Sequence, residues 1–289
     1  MQRHLLLTIG QDQTSWYKLD FIADLFPDKT EVLLTLFSVA HNPGTPPPDP
    51  ACAGRTPGSV QTPAQTPSCS EADQALLHEA RNRLMTKGFS SENLLLKVAC
   101  SGRGALDEIT CEGSGGLYDA AVLGRRGLTW IEELVADSVS SNLLLRRVDF
   151  PIWVCRRRTN GESGVLLCVS DTRHSLRMAD HVGFVLGPDS AHPVTILHVG
   201  EEATAPSVLA AAAAELTVNG FPPELVRTKV RQDKNVARAI LEEAAEGNYM
   251  AVAVGMSPAS SGYLETLFPA HMCFKLLRKM DCPALWVSR

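Results

Sequence analysis

No apolar run in this chain approaches the ~20 residues that a membrane-spanning helix needs. The opening MQRHLLLTI carries one basic residue and a short apolar core. That core is too short for a secretory signal, no small-residue cleavage site follows, and the segment reads as a first strand. Positive charge is also lacking. The net charge of −5 argues against a nucleic-acid binder, which needs a basic face for phosphates. None of the eight cysteines forms a CxxC pair, so zinc ribbons and dithiol redox motifs are excluded. Paired carboxylates at hydrolase spacing are missing too. Cys100, Cys155 and Cys168 lie in apolar strand-like runs, where a free thiol behaves as a small hydrophobe. That usage predicts a reducing compartment, and hence a cytoplasmic protein.

What is present is an ordinary globular composition, 45% apolar and 20% charged over 289 residues, enough for about two domains. Strand-like runs alternate with helix-like ones. In the first half the strands are Leu5–Ile9, Val32–Val39, Leu94–Cys100, Tyr118–Leu123 and Ile152–Cys155. Helices are expected from Trp16 to Leu25, over Glu71–Lys87 with Gly88 as its cap, over Ala105–Thr110, and between Ser138 and Pro151. The run Gly113-Ser114-Gly115-Gly116 reads as a flexible loop rather than a phosphate cradle. Residues 41–69 hold six prolines between Pro43 and Pro57 and few large apolar residues, which predicts a surface insert. The RRRTNGES stretch from Arg156 is read as a solvated linker, since the acidic total disfavours a nucleic-acid patch.

The second half repeats the plan. Strands are expected at Val165–Val169, Val194–Val199, Leu225–Val230, 249–255 and Pro283–Val287, with helices at Ser175–Leu186, Ser207–Val218, Val236–Ala245 and after Pro269. GFSSENLLLKV from Gly88 aligns without gaps to GFPPELVRTKV from Gly220, an offset of 132, and Pro151 to Pro283 keeps it. Leu5–Leu7 matches Val165–Leu167 at an offset of 160. The difference falls between Val39 and Gly88, where the insert lies. The expectation is a duplication with one loop insertion: residues 1–156 and 164–289 form two α/β domains, each a doubly wound five-stranded parallel sheet flanked by helices. Ligands of such sheets bind at the strand C-termini, where Gly10, Val39, the turn after Cys100, and Gly124 of the first half would meet.

One motif carries more. Gly124, two arginines (Arg125, Arg126), Gly127, nine residues and then Asp137-Ser138 match in spacing the G-x2-G-x9-G-[ST] motif of ATP-binding universal stress proteins. The ending SVSSNLLLRRVDFPIWVCR also resembles that family's last helix and strand, and the likeness covers nearly the whole chain outside the insert. The sequence therefore resembles the universal stress protein family in its tandem two-domain form. The resemblance implies an adenine nucleotide alpha-hydrolase-like, Rossmann-like fold. It implies that the last strands, Pro151–Cys155 and Pro283–Val287, pair as a pseudo-dimer within the chain; a homodimer of whole chains stays open. It also implies a nucleotide site in the first domain, made by Gly10, Val39, the amides of Gly124–Gly127, and Ser138, Val139 and Ser140 at a helix start, where an anion is favoured. Arg125 and Arg126 would add charge.

The motif is broken in places. Asp137 replaces its last glycine, and a carboxylate there repels phosphate unless a divalent cation bridges the two; its plain role is a helix cap. Gly10 stands where ATP-binding members carry an aspartate, and Asp12 would have to reach back. In the second half Pro258 has no N–H to donate, Pro269-Ala270 replaces the glycine and hydroxyl, and the phosphate site reads as lost. Asp171, His174 and Ser175 are too close in sequence for a catalytic triad and read as cap residues. His271 and Cys273 lack metal-site spacing, and His198 is read as structural. The expected function is a non-enzymatic stress-response or signalling protein that binds a protein partner, with nucleotide binding reduced or absent. The alternative is an ATP-binding switch using the first domain only, with slow hydrolysis. A third reading, an adenylating enzyme on a similar fold, would need a catalytic base or a full phosphate loop. The sequence offers neither.

Overall fold

The computed structural model describes residues 2–10, 14–40, 71–100, 105–124, 148, 150–156, 163–256, 270–280 and 283–288. Ten strands form one sheet: β1 (Arg3–Thr8), β2 (Val32–Val39), β3 (Leu94–Ala99), β4 (Ala120–Leu123), β5 (Ile152–Val154), β6 (Val165–Val169), β7 (Val194–Val199), β8 (Val226–Arg231), β9 (Ala251–Gly255) and β10 (Ala284–Ser288). The described helices are α1 (Thr14–Leu25), α2 (Glu71–Thr86), α3 (Ala105–Gly115), α4 (Arg173–Leu186), α5 (Ala205–Val218), α6 (Val236–Glu246) and α7 (Ala270–Lys279). The expected strands are found with ends shifted by one or two residues, the normal uncertainty of boundaries.

Strand order is β3-β2-β1-β4-β5-β10-β9-β6-β7-β8. Each group of five is parallel throughout, and the second reads as the first in mirror order. The groups meet at β5 and β10, which are antiparallel, with Trp153 opposite Trp286. The inner strands are apolar on both faces because helices cover both, whereas the edge strands β3 and β8 are partly polar and exposed. Leu5, Leu7 and Ile9 point into one core, shared with α1, α2, α4 and α5. Leu6 points into the other, shared with α6 and α7. The first core runs unbroken through both groups.

At the seam Trp153 stacks on Trp286, ring centroids 4.3 Å apart and 12° from parallel. Each ring is then met edge-on by a helix of the opposite group. Trp153 Nε1 donates to His181 Nε2 of α4 at 3.1 Å, and Trp286 meets Phe21 of α1 at 6.3 Å. Phe21 and His181 are 160 positions apart, the offset that relates β1 to β6. Arg3 Nε donates to Phe184 O at 3.2 Å, and the Arg156 guanidinium donates to Leu277 O, so polar contacts also cross the seam.

A carboxylate network occurs in each group, partly buried in the first and buried in the second. Glu112 of α3 receives Lys97 Nζ at 2.6 Å and Tyr118 OH at 2.6 Å. Glu243 of α6 receives Lys229 Nζ at 2.6 Å and Tyr249 OH at 3.0 Å. Lys97 to Lys229 spans 132 positions, and Glu112 to Glu243 and Tyr118 to Tyr249 span 131 each. Burial, with Glu112 beside it, pushes the Tyr118 phenol up to about 12. In the second group Arg231 Nε adds a contact to Glu243 at 2.9 Å.

Two expectations are corrected. Gly113, Ser114 and Gly115 are not a loop but the last turn of α3. A Cβ on Gly113 would overlap the Phe150 ring, so the glycine serves close packing, and the turn comes later, where Leu117 takes φ 51°. Cys100 is disulfide-bonded, not a free hydrophobic thiol, and its partner lies outside the described residues. Cys155, Cys168 and Cys273 are free and buried, as small hydrophobes should be. No described helix is long and apolar enough to cross a membrane.

Candidate functional site

In each group the first strand has neighbours that leave in opposite directions through the chain: β1 lies between β2 and β4, β6 between β7 and β9. The connections diverge there, which is the position at which open α/β sheets hold their ligands. Gly10 stands two residues past β1, Val39 ends β2 and Gly124 follows β4, so these three residues share the C-terminal edge of the first group. Arg125, Arg126, Gly127, Asp137, Ser138, Val139 and Ser140 lie outside the described residues, as do Asp12 and the insert.

A residue not singled out from the sequence reaches this edge. Lys18 of α1 is only 2% exposed. Its ammonium donates to the Thr8 carbonyl and, at 3.2 Å, to Thr8 Oγ1. Thr8 Oγ1 in turn donates to Val122 O of β4 at 3.2 Å. The positive charge therefore sits where β1 and β4 part. Cys155, directly after β5, is close enough for that charge to act on its thiol, which burial nevertheless pushes up to about 12. Beside β2, Ser38 Oγ donates to Asp73 Oδ1 of α2 at 3.4 Å, with both residues buried. A carboxylate in the first turn of a helix is favoured by the helix dipole.

The second group fills the same positions differently. Met178 stands 160 positions after Lys18 and is fully buried; Cys168 stands where Thr8 is. A Cβ on Gly255 would run into the His174 carbonyl oxygen and Ser175 N, so the first turn of α4 lies directly on the end of β9. The glycine that aligns with Gly124 is here a packing glycine. Ser170, Thr172 and Ser175 hydroxyls bond one another at 3.0–3.2 Å, and Ser175 Oγ also accepts from Ser170 N. Thr172 caps α4. Ser175 is thus spent on a cap, as expected, and not aligned as a nucleophile. His198 Nδ1 donates to Val169 O at 3.2 Å, which places the imidazole proton on Nδ1 and ties β7 to β6. Among the described residues no cluster of three or more His, Cys, Asp or Glu side chains could hold a metal ion.

The architecture can be set beside known proteins. No protein-family model matches the sequence. No curated protein matches it either. Among solved structures it is similar over 99% of its length to a universal stress protein from Archaeoglobus fulgidus DSM 4304, at 15% identity and a TM-score of 0.63, covering 96% of that chain. The chain has the universal stress protein fold. Another match, a universal stress protein in complex with cAMP, spans 44% of this chain and 97% of its own, at 16% identity and a TM-score of 0.36. The universal stress protein fold accounts for the sheet order and the crevice position. It does not by itself assign a ligand, which depends on the side chains at the edge.

Lys18 escaped the sequence reading because one lysine in an amphipathic helix is normally solvated. A signal was present: the repeat offset pairs it with Met178, an apolar residue.

Proposed function

We propose that this chain is a universal stress protein in tandem form, with 1–156 and 164–289 as its two duplicated domains. It acts in stress response or signalling by binding a protein partner, with nucleotide binding weak or absent. The tandem division is supported by the mirrored strand order and the repeated Lys–Glu–Tyr network. The observation that supports the functional reading is the close approach of the first turn of α4 to Gly255, together with Met178 in the place of Lys18. In the first domain the motif is broken at Asp137 and Gly10. Calorimetric titration with magnesium-ATP tests the reading: it expects a dissociation constant weaker than about 1 µM. Tight binding would sink it.

A second reading is favoured by Lys18. A cation held at the β1/β4 edge suits an anionic ligand, so the first domain alone would serve as an ATP-binding switch. Under this reading the contacts come from Gly10, Val39, Gly124, Arg125, Arg126, Gly127, Ser138, Val139 and Ser140, with Asp137 opposing them.

A further inference from the structure

Both ends of the ten-stranded sheet are open. β3 pairs only with β2, and β8 only with β7. Along a strand the N–H and C=O of one residue point to the same side, and the next residue points to the other. The Ala99 carbonyl accepts from Ala40 N, just past β2, so Leu95, Lys97 and Ala99 bond inward. Leu96 and Val98 therefore aim their backbone groups outward. Among the described residues nothing bonds the Leu96 N–H and C=O or the Val98 N–H, and the Val98 oxygen meets only the Cys100 sulfur, at 4.0 Å. By the same parity Arg231, whose carbonyl accepts from Gly200 N, bonds inward, and Thr228 and Val230 are the open residues of β8. Open edges recruit other strands unless charge, proline or a bulge guards them.

The two edges are guarded differently. β8 carries Arg227, Lys229 and Arg231 beside its open residues. Laid antiparallel against a second β8, every register sets one of these cations opposite another or opposite itself. Like charges facing across a strand pair are destabilising. At the offset of 132 the same positions in β3 are Leu95, Lys97 and Ala99. Leu95 is uncharged and 45% exposed, and Lys97 is bridged to Glu112 at 2.6 Å. An antiparallel register centred on Leu96 pairs Leu96 with Leu96 of the second copy and sets Lys97 opposite Leu95, so no like charges face each other.

We infer that the free edge of β3 is the surface through which this chain meets a second copy of itself, the two chains joining antiparallel at β3 about a two-fold axis. The joint closes, because pairing uses both β3 edges and leaves two β8 edges that repel one another. A strand of six residues spans about 20 Å, which makes a small interface, so association is reversible and depends on concentration. The contact goes beyond both functional readings above and stands whether or not the first domain holds a nucleotide.

Sedimentation velocity of the full chain over a range of concentrations tests it, beside hydrogen-exchange mass spectrometry of the peptide that covers β3. The original protein should pass from one chain to two as concentration rises, and exchange in that peptide should slow with it. Leu95→Arg installs the residue of the second group and sets a cation opposite Lys97 of the other copy. Its dissociation constant should be about tenfold higher or more. Leu95→Glu sets an anion opposite that lysine and should dimerise at least as well as the original, which loss of apolar surface alone would not allow. Thr228→Pro removes an outward N–H of β8 and should leave the dimer unchanged. A chain that stays single at every concentration overturns the inference. A dimer that Leu95→Arg leaves intact, with exchange in β3 indifferent to concentration, places the contact elsewhere and also overturns it. Growth beyond two chains that Thr228→Pro abolishes would mean β3 pairing with β8, and overturns it too. If Leu95→Arg fails to fold, a Leu95→Glu dimer with β3 protected still supports the contact, and a Leu95→Glu dimer weaker than the original contradicts it.

Discussion

His181 is a buried histidine with no acid close enough to offset its burial. It is buried against Trp153, accepts that indole's N–H on Nε2, and has its pKa lowered to about 4 by burial, with Asp180 working weakly against the shift. The folded state therefore takes up the proton later than the unfolded chain, whose histidine titrates near 6.5. Stability from this group is complete above about pH 6.5 and is lost as the pH falls toward 4. Between pH 7 and pH 5 denaturant unfolding should show a loss of about 2 kcal/mol, and His181→Phe, which installs the residue found at Phe21, should remove most of that dependence. An unchanged slope in the variant would assign the titration elsewhere. Asp137 supports a second residue-scale prediction, drawn from the motif. Under the ATP-binding reading, Asp137→Gly would remove a like charge near the phosphates, worth on the order of 1 kcal/mol when partly screened, and should tighten ATP several-fold. Tightening is what calorimetric titration should record; a magnesium-dependent weakening would make Asp137 a metal-bridging residue instead. The motif residues were legible because spacing is visible in a sequence. Lys18 and His181 were not, because burial of a polar residue depends on which helix face meets the sheet, and α1 has polar and apolar residues on neighbouring positions.

At the scale of elements, alternating runs placed nearly every described strand and helix, since strands covered on both faces must be apolar throughout. The misread element was the end of α3. By composition the glycines there read as a loop, whereas Gly113 is needed under Phe150, a contact between residues far apart in the chain. The pairing of β5 with β10 rests on the Trp153–Trp286 stack, and stacked indoles couple their transitions. Near-ultraviolet circular dichroism should lose one signal when either tryptophan becomes phenylalanine, and Trp286→Ala should cost about 3–5 kcal/mol in urea unfolding. Two different, additive losses from the single phenylalanine variants would argue against a stacked pair. The duplicated carboxylate network allows an internal comparison. Glu243 is 2% exposed and faces Lys229, Arg231 and Tyr249, whereas Glu112 has no counterpart of Arg231, whose place is held by Ala99. Glu243→Gln should therefore destabilise more than Glu112→Gln, because it leaves an additional cation underpaired. Equal losses by chemical denaturation would mean that Arg231 is served by Glu242 and Glu246, which also lie against it.

Across the whole molecule, one apolar core runs through both groups of strands, and the seam is closed by backbone pairing, indole stacking and polar contacts from Arg3 and Arg156. A chain nicked at a protease site introduced between residues 157 and 162 should stay associated and elute at its original size. Separation of the pieces would show that the seam depends on the covalent link. The repeat offsets made this organisation legible, because a shift of 160 before the insert and 132 after it leaves few alternatives. The ligand was less legible, because it depends on a handful of side chains at one edge, and the two edges have diverged: Lys18 against Met178, Thr8 against Cys168. That divergence is the centre of the account, and counting nucleotides per chain tests it most directly. Native mass spectrometry of the purified protein in saturating magnesium-ATP should find at most one nucleotide bound per chain; two per chain would contradict the account, because the second crevice would then be open.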